Sequence, residues 1–388
     1  LFRGLRLHAL ACLLLLPLPL PRVQPSRAAR AARAARAARA RTTGDTICAA
    51  PGSVRGEPAE AIADAIAAAA ASLDRRTIPM DQLVGSHRSR APIQRVDFDR
   101  VSVFFGEKSG KYPDGNQVLV RGSDTRAAFD TPIVANHIGA EFEATELVVM
   151  GHVHEDHMAG LHRLPHAAVH VHEADLPAAR SWDGLLAAYG SHAGYAAEML
   201  ARFQRDFFYA PRPDAQAYVD GATWDLGQVR IRAFHMPGHT AGHTVLLVEP
   251  EGVAFIGDID LTGFGPYYGD ACSSLADFRR TLARLPEIPA KVWVTSHHRG
   301  VYTERERFLR DLAAFAAKLD EREQRLLAWL GEGPQTLAQL VERRLLYPQG
   351  YEGLWVVDAE TRTIARHLAE LLADGRVRVD EGGVYRLG

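Results

Sequence analysis

Lysine is scarce in this chain: of 45 basic residues among 388, only Lys108, Lys111, Lys291 and Lys318 are not arginine. Together with the many alanines, that bias reads as the imprint of a GC-rich genome rather than of a function. Cysteine is scarcer still. Cys12, Cys48 and Cys272 lie far apart, which excludes a disulfide framework or a C-x-x-C site and is compatible with a reducing compartment. Net charge is nearly absent, at −2, so no overall field draws the chain to nucleic acid or to an anionic membrane. The apolar run Leu7 to Leu20, broken by Pro17 and Pro19, is too short to span a bilayer comfortably. Acidic residues are missing before Asp45 and methionine before Met80.

What remains is globular in composition, 47% apolar and 24% charged, and long enough for one large domain and a small one. Residues 1–89 differ from the rest. Arg3 and Arg6 precede the apolar run, and Ala-Ala-Arg repeats fill Ala28 to Arg39. A signal peptide, an Arg-rich transit peptide and a stretch upstream of the true start are the three readings. The third is favoured, because residue 1 is Leu. This low-complexity extension is expected to be disordered, and the protein itself cytoplasmic without stable membrane association.

The chemistry concentrates in Met150-Gly-His-Val-His-Glu-Asp-His-Met-Ala-Gly160. His152, His154, Asp156 and His157 follow the apolar run Leu147 to Met150, which reads as a buried strand. Their spacing is not that of a helix, where two ligands recur at i and i+4. A loop leaving a strand end can turn such side chains towards one point, and imidazole with carboxylate is the usual donor set of a divalent cation. His152-Val-His154-Glu-Asp156-His157 resembles the H-x-H-x-D-H signature of the metallo-β-lactamase superfamily.

Other segments follow the same plan. Val229 to Phe234 alternates as a half-buried strand should and runs into His235-Met-Pro-Gly-His239-Thr-Ala-Gly-His243. That block resembles the P-G-H-T-x-G-H motif of the glyoxalase II-like branch, which implies His239 as ligand and His243 as a packing residue. The strand Val253 to Ile256 leads to Gly257-Asp258, matching the family's bridging Asp, with Asp260 as the weaker candidate. Lys291 to Thr295 leads to Ser296-His297-His298-Arg299-Gly300. Here the family has a final ligand, and His297 or His298 matches it. Gln117 to Gly122 and Ala127 to Thr131 read as a strand pair, with Asp130 either orienting a ligand or facing water. Val96 to Phe105 reads as one further strand. His162, His166, His170 and His172 are expected to be structural, and Tyr267 and Tyr268 to pack rather than to stabilise an oxyanion.

The resemblance covers about residues 97–300 and implies an α/β fold, an αββα four-layer sandwich, over 90–315. Its implied ligands are His152, His154 and His239 for one metal and Asp156, His157 and His297 for the other. Asp258 bridges, and Asp156 and Asp258 are the catalytic carboxylates. Two Zn²⁺ per chain are expected, with iron or manganese as alternatives. Residues 320–388, with helices over Arg322 to Leu330, Thr336 to Arg344 and Asp358 to Ala373 and a hairpin over 377–387, resemble a winged helix. The third helix mixes Arg362, Arg366 and His367 with Glu360, Glu370 and Asp374, a weak face for reading nucleic acid, so packing or homodimerisation is the expected role.

The implied activity is hydrolysis of a small acyl substrate (an ester, thioester or lactone) by a metal-bridging hydroxide. Alternatives are a metal-dependent endoribonuclease or phosphodiesterase acting on RNA, and an iron-dependent oxidoreductase. The 58 positions from His239 to His297 leave no room for the long insert of the β-CASP nucleases, and no flavin-binding domain follows.

Overall fold

The computed structural model describes residues 92–191 and 193–388; the extension expected over 1–89 lies outside the described residues. A seven-stranded sheet runs in chain order from β1 (Arg95–Phe98) through β2 (Val101–Phe104), β3 (Gln117–Arg121), β4 (Arg126–Phe129), β5 (Leu147–Val149) and β6 (Ala168–His172) to β7 (Gln216–Tyr218). A six-stranded sheet is built from β8 (Thr223–Asp225), β9 (Arg230–His235), β10 (Thr244–Glu249), β11 (Val253–Phe255), β12 (Val292–Val294) and β13 (Val301–Tyr302), with spatial order β13-β12-β11-β10-β9-β8. The chain β4-β5-β6-β7 is parallel, as is the pair β11-β12. Of these, β5, β11 and β12 are apolar on both faces, as strands covered on both sides should be.

Side chains leave a strand alternately to either face, and this sorts the core into layers. Phe129, Val149 and Val118 meet Ile231, Leu246, Phe255 and Val294 between the two sheets. On the other face of the first sheet, Val148, Val169 and Val171 pack against α1 (Leu176–Arg180), α2 (Trp182–Tyr189) and α3 (Ala196–Phe207) through Ala178, Leu185 and Phe203. On the other face of the second, Val245, Leu247 and Trp293 pack against α4 (Leu275–Arg284) and α5 (Arg305–Gly331) through Phe278, Phe308 and Phe315. Trp293 stacks flat on Phe308, with centroids 4.3 Å apart. The order is helix, sheet, sheet, helix, as expected. No helix among the described residues is long and apolar enough to cross a membrane.

Two expectations about elements need correction. The single strand expected over Val96 to Phe105 is a hairpin, β1 pairing with β2 in antiparallel register. It turns at Asp99, whose φ of +54° is one that Asp tolerates better than most residues. The helix expected at Arg322 is the last third of the 27-residue α5, so the boundary placed at 315–320 falls inside a continuous helix. Beyond it come α6 (Leu337–Glu342), opened by a reciprocal Thr336–Gln339 capping box, α7 (Val356–Ala373) and a small sheet ordered β14 (Gln335–Thr336), β16 (Val384–Leu387), β15 (Val377–Val379). Leu326, Leu330, Leu340, Ile364, Leu368 and Tyr385 form their own core.

This C-terminal part is joined to the sandwich by buried polar contacts. His367 is fully buried on α7 and meets the Tyr268 hydroxyl at 2.8 Å through Nε2. Glu323 and Glu370 stand nearby, but Arg279 lies 3.5 and 3.4 Å from them, so this cluster is neutralised by an arginine. Burial, reinforced by Arg279 and Arg322, pulls the His367 imidazole down from 6.5 to about 3. Its folded value is thus below its unfolded one. The stability it contributes is complete above the unfolded value and is lost as the pH falls towards the folded one, because only the unfolded chain takes up the proton. Urea unfolding of wild type and His367→Gln should therefore show a larger wild-type advantage at about pH 7.5 than at about pH 5. Phe255→Ala, which empties the space between the sheets beside Phe129, should cost about 3–5 kcal/mol of unfolding free energy in the same assay.

Candidate metal centre

Parallel pairing delivers the candidate residues to one edge. Register matches Phe129 with Val149 and Phe255 with Val294, so the chain leaves β4 and β5 side by side, and likewise β11 and β12. The carboxyl ends of parallel strands are where open α/β sheets place their sites. In the first sheet, Asp130 Oδ1 accepts the Gly151 N–H at 2.6 Å, fixing the start of the 151–157 loop. In the second, the Ser296 N–H donates to the Gly257 carbonyl at 2.9 Å. Gly257 has φ +57°, and a Cβ there would stand 2.4 Å from His243 Nε2, so only glycine makes this turn. The Thr244 N–H donates to the Gly151 carbonyl at 2.7 Å and ties the two sheets at this edge. Pro237-Gly238, with Gly238 at φ +137°, turns His239 inward from β9.

Four imidazoles have their outer N–H engaged by a group that can only accept. His157 Nδ1 meets Asp130 Oδ2 at 2.8 Å, and His239 Nδ1 meets the Tyr267 carbonyl at 3.0 Å. His297 Nδ1 meets the carbonyls of Gly110 and Asp114 at 2.9 and 2.8 Å, and His154 Nε2 meets Asp270 Oδ2 at 3.0 Å. Each tautomer is therefore fixed, with the inner nitrogen left as a lone pair. Those lone pairs converge in two groups, His152, His154 and His239 with Asp258, and Asp156, His157 and His297, each with donor atoms within 4.8 Å of one another. Asp258 faces both. Its Oδ2 lies 3.3 Å from His239 Nε2 and 3.8 Å from His152 Nε2, and its Oδ1 lies 3.2 Å from His157 Nε2 and 3.5 Å from His297 Nε2.

These groups fit a cation. His154 Nδ1 and His239 Nε2 face each other at 3.2 Å, an arrangement that needs positive charge between the lone pairs. Tetrahedral ligand nitrogens around Zn²⁺ at about 2.0–2.1 Å stand about 3.3–3.4 Å apart. The His297–Asp156 contact of 3.1 Å and the His239–Asp258 contact of 3.3 Å match that spacing. His152 Nε2, His157 Nε2 and Asp258 Oδ1 are buried with no hydrogen-bond partner, which is costly unless another group satisfies them. The local field favours cations as well. Burial opposes it, yet Asp270 carries the His154 imidazole up to about 9, and Asp258 with Asp156 carries His297 up to about 10. His152 goes the other way, well below 6.5, through burial and the neighbouring imidazoles. Burial likewise would raise the Asp258 carboxyl, but the surrounding imidazoles, His297 first, hold it well below the usual carboxylate range.

All seven expected ligands are thus brought together, with His297 rather than His298 at the last position. His298, at φ +60°, lies outside both groups. Asp130 stands behind His157 and is 1% exposed, which removes the reading that it faces water. His243 packs: Nδ1 donates to the Met236 carbonyl and Nε2 accepts the Asp258 backbone N–H. Asp260 is turned towards the same charges, and burial with Asp258 raises its carboxyl to about 7. His162, His166, His170 and His172 bind carbonyls or rings away from the cluster. Tyr268 points to His367, and the Tyr267 hydroxyl donates to Asp270 Oδ1 at 3.0 Å, so neither hydroxyl is free for an oxyanion.

Three contributors escape the sequence reading. Asp270, in Gly269-Asp270-Ala271, carries no motif. Asp175 accepts from the Thr240 hydroxyl and the Gly242 N–H, both at 2.7 Å, and from the Val153 N–H at 3.3 Å. It clamps the two histidine loops together, and its position just after β6 is the one local signal. Glu155 receives the Tyr189 hydroxyl and, at 3.1 Å, that of Tyr112, while the Tyr189 ring stacks on His154.

Residues 147–313 match the family model described as Metallo-beta-lactamase superfamily. A hydroxyacylglutathione hydrolase of Methylococcus capsulatus is 30% identical over 131 residues, 33% of this chain and 49% of that protein. The acyl-coenzyme A thioesterase MBLAC2 of Homo sapiens is 27% identical over 201 residues, 46% of this chain and 70% of that protein. The chain thus spans about half the length of the first of these relatives. A metallo-beta-lactamase family protein of Thermus thermophilus superposes with a TM-score of 0.53 at 24% identity, covering 71% of this chain and 94% of that one.

Asp130→Asn keeps the shape behind His157 but not the charge. It should weaken metal retention by about 10–100-fold, read by competition with a chelating dye, with the circular dichroism of the fold unchanged.

Proposed function

From a chain that carries a metallo-β-lactamase superfamily domain, we propose a dinuclear metal-dependent hydrolase of small acyl substrates, with thioesters foremost. The observation that carries this reading is Asp258, one carboxylate whose two oxygens face two separate sets of imidazoles. His152, His154 and His239 would hold one Zn²⁺, and Asp156, His157 and His297 the other, with Asp258 between them. When bound, the pair supplies Lewis acidity, which makes water nucleophilic near neutral pH and polarises the acyl carbonyl.

The chain's own residues do the rest. Asp258 has 13% of its side chain exposed, against 5% or less for Asp156 and the imidazoles other than His154. It is the point where water and substrate reach the cluster. Its carboxylate holds the water that adds to the acyl carbon; the carbon–sulfur bond then breaks to leave an acid and a thiol. Asp130, Asp270 and the Tyr267 carbonyl keep the ring nitrogens oriented, so no reorganisation is needed as charge develops. Two relatives whose names carry thioester chemistry, hydroxyacylglutathione hydrolase and acyl-coenzyme A thioesterase, support the thioester. Arg362 and Arg366 of α7 are engaged with carbonyls of the chain itself, leaving little basic surface on that helix for RNA.

Elemental analysis of the purified protein should find two equivalents of zinc. In a panel of thioester, ester, lactone and single-stranded RNA substrates, thioester cleavage should dominate. His154→Ala, or removal of metal by chelation, should abolish both bound metal and turnover; hydrolysis retained by metal-free protein would overturn the reading.

A further inference from the structure

Between Gly257 and Ser274 the chain forms no helix or strand, yet this loop supplies two of the groups that orient imidazoles. The Tyr267 carbonyl faces His239 Nδ1 at 3.0 Å, and Asp270 Oδ2 stands 3.0 Å from His154 Nε2. A loop without its own ladder must find partners for its carbonyls elsewhere. Over 264–271 most of those partners are arginines of the C-terminal part. Arg322 of α5 donates to the carbonyls of Phe264 and Pro266 at 2.6 and 2.5 Å. Arg362 of α7 donates to Gly269 at 3.2 Å and also to Gly190 at the end of α2. Arg366, one turn along α7, spans three carbonyls: Tyr268, Asp270 at 2.5 Å and Ala271 at 3.3 Å.

We propose that Arg366, with Arg362 and Arg322, is a positioning residue of the metal centre, acting on His154 and His239 through the 264–271 backbone. Among the described residues Arg366 and Arg362 have no carboxylate partner within ion-pair distance; their hydrogen bonds go to carbonyls. A guanidinium is suited to this, having five donors in a rigid planar fork. Arg366 grips the residues on either side of Gly269 and the backbone of Asp270 itself. Any slackening there moves the carboxylate that sets the His154 tautomer. The C-terminal part therefore completes the centre without contributing a ligand, and the proposal rests on the metal-centre reading of those two histidines.

The test is Co²⁺ binding by metal-stripped full-length protein, followed by the visible absorption of the bound ion, which reports ligand geometry without any turnover. Arg366→Ala should bind Co²⁺ at least about 10-fold more weakly and with an altered band shape. Arg366→Lys, which keeps the charge but lacks the planar fork, should fall between Arg366→Ala and wild type. Arg343→Ala, which removes an arginine of the same C-terminal part that pairs with Glu332, should match wild type in both readouts. If Arg366→Ala does not fold, Asp270→Asn carries the test from the other end of the route, with the same weakening and band change expected. Wild-type affinity and an unchanged band in whichever of these variants folds would overturn the proposal. Failure of the wild type itself to bind Co²⁺ would instead remove the metal-centre reading, and this proposal with it.

Discussion

Imidazoles and carboxylates cannot be packed together out of water unless a positive charge is shared among them. Asp156, Asp258 and five histidines lie at one edge of the sandwich, all but Asp258 largely shielded from solvent, and much of the local architecture answers that constraint. The outward nitrogens of four of these histidines, all but His152, face Asp130, Asp270 or backbone carbonyls, so their inward ones are left facing each other. The fold tolerates this because each donor sits at the end of a strand that is itself fixed by pairing on both sides. The clustered polar groups are thus confined to loops, while the layers behind them are apolar packing.

Topology explains why such distant segments meet. Parallel strands carry their carboxyl ends to the same edge, and each sheet contributes one such set. The cross-sheet bond from Thr244 to Gly151 and the Asp175 clamp between the two histidine loops then set the distance between the halves. Asp258 occupies the seam. Its backbone amide is held by His243, whose imidazole is pressed down to about 3, by burial above all, leaving Nε2 free to accept the Asp258 N–H.

The sandwich and the seven clustered residues were legible in the sequence because each lies within a few positions of a strong local pattern. Runs such as Leu147 to Met150 and Val253 to Ile256 announce buried strands, and the ligands follow at once. Asp270 was not legible, since its meaning depends on α7 pressing a patternless loop against His154, a contact between residues far apart in sequence. Asp175 and Glu155 are similar: acidic residues in loops are ordinary until their partners, Thr240 and Tyr189, are known. The hairpin at Asp99 was missed because a two-residue turn without glycine leaves the alternation on either side nearly unbroken. The choice between His297 and His298 could not be made from spacing, because a one-residue difference after a strand end is decided by the turn. There the Thr295 hydroxyl donates to the His297 carbonyl and accepts the Gly300 N–H.

Helix α5 begins against the second sheet at Phe308 and ends in the separate C-terminal core at Leu326 and Leu330. Its 27 residues make a rod of roughly 40 Å with no proline or glycine before Gly331. A rod of that kind has no hinge. The appended portion is therefore joined to the second sheet by one continuous helix rather than by a flexible tether. Inserting a single residue into the shared rod would rotate everything after it by about 100°, carrying α7 off the surface it now grips.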